Sequence, residues 1–82
     1  MNEVTILFFA TLRDRAATRS LRLSLPAGET IGGLKNRLTL QFPALQGLME
    51  HCLASINHEY RFDEDAIPAE AEVAFFPPVS GG

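Results

Sequence analysis

The sequence predicts an α+β domain: a mixed sheet with one main helix packed across one face. Three observations lead there. A run rich in β-branched and aromatic residues opens the chain at Val4 to Phe9, a second closes it at Glu72 to Phe76, and between them Ile31, Leu34, Leu38 and Phe42 recur at helical spacing. With 82 residues, 46% hydrophobic and 21% charged, the composition is that of one globular domain and excludes a two-domain enzyme. Size scaling lets such a chain bury only about 60 to 65% of its unfolded surface, so deep catalytic clefts are not expected.

Val4-Thr5-Ile6-Leu7-Phe8-Phe9 reads as a strand largely buried on both faces and therefore central. Thr11 to Ser20 carries Arg13, Asp14, Arg15 and Arg19 with little apolar material, and reads as a solvated loop. Leu21, Leu23 and Leu25 alternate with Arg22 and Ser24, the pattern of a strand with one wet face that pairs with the first as a hairpin; Pro26-Ala27-Gly28-Glu29 ends it. Thr30 is the expected N-cap of the main helix, and Lys35, Asn36, Arg37 and Gln41 fill its polar side. Gly32 and Gly33 each cost about 1 kcal/mol against alanine, so packing must hold the first turn.

Pro43 stops that helix. Leu45, Leu48, Met49 and Cys52 predict a second short helix, and Ala54 to Asn57 and Glu59 to Phe62 predict short strands around a polar turn. Asp63-Glu64-Asp65 is a charged turn before the last strand, which Pro77-Pro78 terminates. The economical architecture for this order is a β-grasp, with the first and last strands parallel at the centre and joined by a crossover through the helix. Residues 1–76 form its body and residues 77–82 an extended tail.

That tail, Pro77-Pro78-Val79-Ser80-Gly81-Gly82, pairs two stiffening prolines with two residues lacking a Cβ. It is slender enough for a narrow channel, and nothing hinders approach to the carboxylate carbon of Gly82. At a background of about 7% glycine, two would end a chain by chance in roughly 0.5% of cases, so fraying alone is a weak explanation. The chemistry permitted is activation of a chain terminus: a partner attaches a leaving group such as AMP, and a nucleophile displaces it.

Adjacent strand residues face opposite ways, so neither Phe8 and Phe9 nor Phe75 and Phe76 can enter the core together. With Val4, Ile6, Phe8, Val73 and Phe75 inward, Leu7, Phe9 and Phe76 form an exposed apolar patch at the root of the tail, a docking surface. Arg13, just beyond the first strand, is the basic residue expected to touch a partner. Acids predominate from Glu50 onward and favour a basic partner.

Seven basic against ten acidic residues, a net charge of −3, argue against nucleic-acid and membrane partners. Val4 to Leu12 is too short to span a bilayer, and a single cysteine fits the reducing cytoplasm. His51, Cys52 and His58 lack a zinc spacing, so no metal is expected; Cys52, among Leu48, Met49 and Leu53, reads as an inert core thiol. No glycine-rich phosphate loop is present.

Phe75-Phe76-Pro77-Pro78-Val79-Ser80-Gly81-Gly82 after Glu72-Val73-Ala74, the opening Leu7-Phe8-Phe9-Ala10 with Leu12-Arg13, and Asn57 after a short strand together resemble the small, sulfur-carrying subunits of molybdopterin synthases. The resemblance spans the whole chain. It implies a ubiquitin-like β-grasp whose Gly82 carboxylate is adenylated by an ATP-dependent activating enzyme and converted to a thiocarboxylate. The tail, with Gly81 giving clearance, then enters the large catalytic subunit, where the sulfur attacks cyclic pyranopterin monophosphate. It also implies a heterotetramer and maps Phe9, Arg13 and Phe76 onto the contact surface. With Leu7 from the alternation and Pro77, Pro78, Val79 and Ser80 of the tail, these are the expected partner-binding residues, and no cofactor is expected to be bound by this chain. Members of that family often have a glycine-acid turn before the last strand; here the chain reads Ile67-Pro68-Ala69-Glu70-Ala71-Glu72.

On this reading the chain donates sulfur and does not catalyse alone. Three alternatives stand beside it: a sulfur carrier for thiamine thiazole synthesis, a ubiquitin-like modifier joined to lysines through Gly82, and an interaction module with an incidental tail.

Overall fold

A computed structural model describes residues 1–78. In chain order it contains β1 (Asn2–Phe8), α1 (Thr11–Ala16), β2 (Ser20–Leu25), α2 (Ile31–Gln41), 3-10 turns at Pro43–Leu45 and Met49–His51, β3 (Leu53–Ile56), β4 (Glu59–Arg61) and β5 (Glu72–Phe76). The strands make one sheet in the order β2-β1-β5-β3-β4. β1 runs antiparallel to β2 and parallel to β5, with Thr5 opposite Glu72 and Phe8 opposite Phe75. The two strands expected at the centre therefore lie there, and the connection between them passes through α2.

Alternation decides what this sheet buries. Val4, Ile6 and Phe8 of β1, Val73 and Phe75 of β5, and Ala54 and Ile56 of β3 meet Ile31, Leu34 and Leu38 of α2 in one core. Phe8 is its hinge point: its ring lies 6.0 Å from Phe42 edge-on and 6.5 Å from Phe75 in a stacked arrangement. Phe42, expected on the helical stripe, stands just past the end of α2 and still covers the core from there.

Three expectations are corrected. β1 is buried on one face only; its other face, Thr5 and Leu7, is half-exposed. The segment read as a solvated loop holds α1, because Leu12 and Ala16, four residues apart, drop into the core while Arg13, Asp14 and Arg15 stay wet. The second helix is broken into two 3-10 turns, since Gly47 between them adopts φ +83°, outside any right-handed helix.

The start of α2 shows why its glycines are there. Thr30 Oγ1 accepts from the Gly33 amide at 3.1 Å, the predicted cap. The Asp63 and Asp65 carbonyls take the Gly32 and Ile31 amides at 2.8 and 3.0 Å. A Cβ on Gly32 would stand 3.3 Å from the Asp63 carbonyl oxygen, and one on Gly33 would run into the Glu29 carboxylate. That carboxylate accepts from the Thr30 amide and pairs with Arg37; the Arg37 guanidinium holds the Glu29 carboxyl below its ordinary range against the opposing effect of burial. Close packing thus replaces the propensity that the glycines forfeit. Thr30→Ala should lower stability by about 1 kcal/mol, read as a lower urea midpoint at unchanged slope; an unmoved midpoint would show that the cap contributes nothing.

Two turns set the register near the sheet's end. Asn57 and His58 link β3 to β4 with φ of 50° and 72°, the positive values of a two-residue hairpin turn. Asn57 also clamps β5: its side-chain oxygen accepts from the Glu72 amide, and its own amide donates to the Glu72 carbonyl, both at 2.9 Å. Before β5, Glu70 sits at φ 59° with its amide on the Glu3 carbonyl, so the turn keeps a glycine-favouring backbone without a glycine.

Candidate functional site

The outer face of the sheet, away from α2, divides by polarity. At the start of β1, Glu3 and Thr5 meet Ser24 and Arg22 of β2: Ser24 donates to the Glu3 carboxylate, and Arg22 reaches Thr5 Oγ1 at 3.1 Å and Glu70 at 3.7 Å. Toward the end of β5 the face turns apolar. Leu7 lies opposite Ala74, and Phe76 lies opposite Leu53. The Phe9 amide bonds the Phe75 carbonyl at 3.2 Å, which sets Phe9 beside Phe76.

There the two rings stack with centroids 4.7 Å apart and planes 12° from parallel. Tyr60 extends the cluster, 6.3 Å from Phe76 and tilted 60° to it. Phe9 is 41% exposed, Leu53 44% and Tyr60 71%, so this aromatic surface is open to solvent. Leu7, Phe9 and Phe76 share the outer face, as alternation predicts, but only Phe9 is exposed; Leu7 and Phe76 are half-buried. Leu53 and Tyr60, not expected there, also face outward: Tyr60 stands opposite Ser55 and Leu53 opposite Phe76.

Arg13 belongs to α1 rather than to a loop, and lines a groove with Leu7, Phe9 and Arg19. Its contact with Asp14 is long, 4.0 Å, and both side chains are well exposed, so the guanidinium is available. On the opposite flank, Glu50 and Glu64 border the cleft beyond Leu53 and Tyr60. The acids expected near the patch therefore flank it on that side, together with Arg61 and Lys35, while Arg13 and Arg19 flank it on the other. Pro77 and Pro78 continue from β5 at the edge of the aromatic cluster, half-buried and exposed in turn. Val79, Ser80, Gly81 and Gly82 lie outside the described residues.

Cys52, just before Leu53, is buried, and its thiol donates to the Leu48 carbonyl at 3.0 Å. Burial pushes the thiol pKa up, with nearby Lys35 opposing, so the group resists becoming a thiolate. His51 and His58 lie against different acids, Glu50 at 3.7 Å and Glu72 at 3.6 Å. Among the described residues no three His, Cys, Asp or Glu side chains converge on a point that a metal ion would fill. No helix there is long and apolar enough to cross a membrane.

An open aromatic patch leading into a Pro-Pro exit, on a sheet of this topology, marks a family, and comparison decides which: the ThiS family model matches residues 6–82. The chain belongs to the ThiS family. Among related ThiS-like proteins, the molybdopterin synthase sulfur carrier subunit of Arabidopsis thaliana is 32% identical over 80 residues, covering 98% of this chain and 83% of that one. Small archaeal modifier protein 1 of Haloferax volcanii is 33% identical over 82 residues, 90% of this chain and 94% of its own. A crystal structure of that modifier superposes with a TM-score of 0.84 at 30% identity, covering 99% of this chain and 100% of the other. The β-grasp expected from element order is thus the ubiquitin-like fold of these ThiS relatives.

Proposed function

We propose that this chain is the sulfur carrier subunit of a molybdopterin synthase, carrying sulfur as a thiocarboxylate on Gly82. The observation that supports it best is the stacked Phe9 and Phe76 pair at the point where β5 hands over to Pro77 and Pro78. A carrier needs a docking surface beside its reactive arm, so that binding fixes where the arm begins. The near-full-length relationship to proteins named as that subunit supports the same reading.

The carboxylate oxygen of Gly82 attacks the α-phosphate of ATP on an activating enzyme, and pyrophosphate leaves. A sulfur donor then displaces AMP to give the thiocarboxylate. In the large subunit the terminal sulfur attacks cyclic pyranopterin monophosphate, and water later cleaves the acyl link and restores the carboxylate. This chain contributes the acyl carbon, the clearance of Gly81 and Gly82, and the surface of Leu7, Phe9, Arg13 and Phe76 with Pro77 to Ser80. The partners supply the acid, base and phosphate-binding groups, the assembly is a heterotetramer, and ATP is held by the activating enzyme alone. A reducing cytoplasm suits the free Cys52.

A second reading, protein modification, is favoured by the likeness to small archaeal modifier protein 1. Co-expression with an activating enzyme and a sulfur source separates the two. The expected result is an intact mass in which one terminal oxygen is replaced by sulfur, lost completely on deletion of Gly82. Thiol-resistant adducts on denaturing gels without any thiocarboxylate would overturn the carrier reading in favour of the modifier.

A further inference from the structure

The chain holds six arginines and a single lysine, Lys35. That lysine is not a surface residue. It projects from α2 between the Met49–His51 turn and the loop carrying Asp63, and it is only 6% exposed. Its Nζ donates to the Cys52 carbonyl at 3.0 Å and pairs with Asp63 at 2.9 Å. Asp63 is itself held in place, because its carbonyl accepts the Gly32 amide at 2.8 Å. The exposed cations Arg13, Arg15, Arg19, Arg22, Arg37 and Arg61 are all guanidiniums.

We propose that the single lysine of this protein, Lys35, is shut away from acylation by its own activated terminus, so that the chain does not build lysine-linked chains of itself. An acyl adenylate reacts when an uncharged amine attacks the acyl carbon: a C–N bond forms, the bond to AMP breaks, AMP leaves as the anion, and the amine proton passes to water. Guanidinium does not lose its proton in this range and does not attack. Lys35 can attack only after it sheds a proton, leaves both acceptors and swings clear of the Met49–His51 turn and the Asp63 loop. Met1, 81% exposed, offers the one remaining amine of the 82-residue chain, its α-amine. A carrier whose terminus is activated at high local concentration thereby offers its neighbours no accessible lysine. The inference rests on the reading of Gly82 as an acyl donor, but the accessibility of Lys35 is testable without it.

The first arm labels the native chain with an acetylating N-hydroxysuccinimide ester and maps the products by peptide mass. Met1 should be labelled freely and Lys35 about tenfold or more slowly than in urea, the factor set by opening two charge-assisted contacts. Asp63→Asn, checked by thermal melting to remain folded, should bring Lys35 labelling closer to the unfolded rate. Equal labelling of Lys35 in native and unfolded chain overturns the proposal. The second arm uses the full chain carrying a C-terminal thioester from intein cleavage, incubated alone or with added glycinamide. Capture by glycinamide with no Lys35-linked dimer, and an identical pattern from Lys35→Arg, is the expected result. Lys35-linked dimers overturn the proposal, whereas failure to acylate glycinamide counts against Gly82 as donor and leaves the first arm to decide.

Discussion

Phe75→Ala should lower the melting temperature by about 12 °C or more, the consequence of losing about 3–5 kcal/mol from a domain of this size. The residue is fully buried, stacks on Phe8, and stands in β5 between β1 and β3, so its ring touches both halves of the sheet as well as the helix layer. The core around it is close-packed, with Val73, Ile6 and Leu38 fully enclosed, so truncation leaves a cavity there. Total stability for a chain this long is about 4–12 kcal/mol, so the variant retains little margin. Urea titration followed by circular dichroism measures it. A midpoint within error of the parent would mean that Phe75 is not the keystone of the core.

The strands and the main helix were legible because each carries its own period. Val73 and Phe75 against Ala74 and Phe76 fix both faces of β5 from sequence alone, and Ile31, Leu34 and Leu38 do the same for α2. α1 was not legible: a six-residue helix with two buried positions offers no stripe to detect, and its four remaining residues look like any solvated loop. Leu53 and Tyr60 were missed for a different reason. Strands of three and four residues alternate too briefly to declare a face, and their register depends on the turn between them. The available signal was Asn57-His58, a pair tolerant of positive φ; reading it as a two-residue turn puts Tyr60 opposite Ser55 and hence outward. The polar character of the face around Thr5 and Arg22 follows from cross-strand pairing with β2, which hydropathy does not reveal.

Phe76→Ala, one residue further along the same strand, should have the opposite profile to Phe75→Ala. Phe76 faces away from the core, so its loss removes the stack on Phe9, worth about 0.5–1.5 kcal/mol, and leaves the Val73 and Phe75 layer intact. Binding is where the large effect falls. An aromatic pair at the centre of an open patch, ringed by Leu7, Leu53 and Tyr60, has the geometry of an interface hot spot, and truncation there costs about 2 kcal/mol or more, roughly thirtyfold in affinity. Titration calorimetry against the large subunit of molybdopterin synthase should show that drop while the urea midpoint shifts only slightly. Tyr60→Ala sharpens the test, because a side chain 71% exposed contributes little to folding and any loss of affinity then belongs to the surface itself. Wild-type affinity in Phe76→Ala would remove the aromatic patch from the docking surface and shift recognition by the large subunit to Arg13 and the tail.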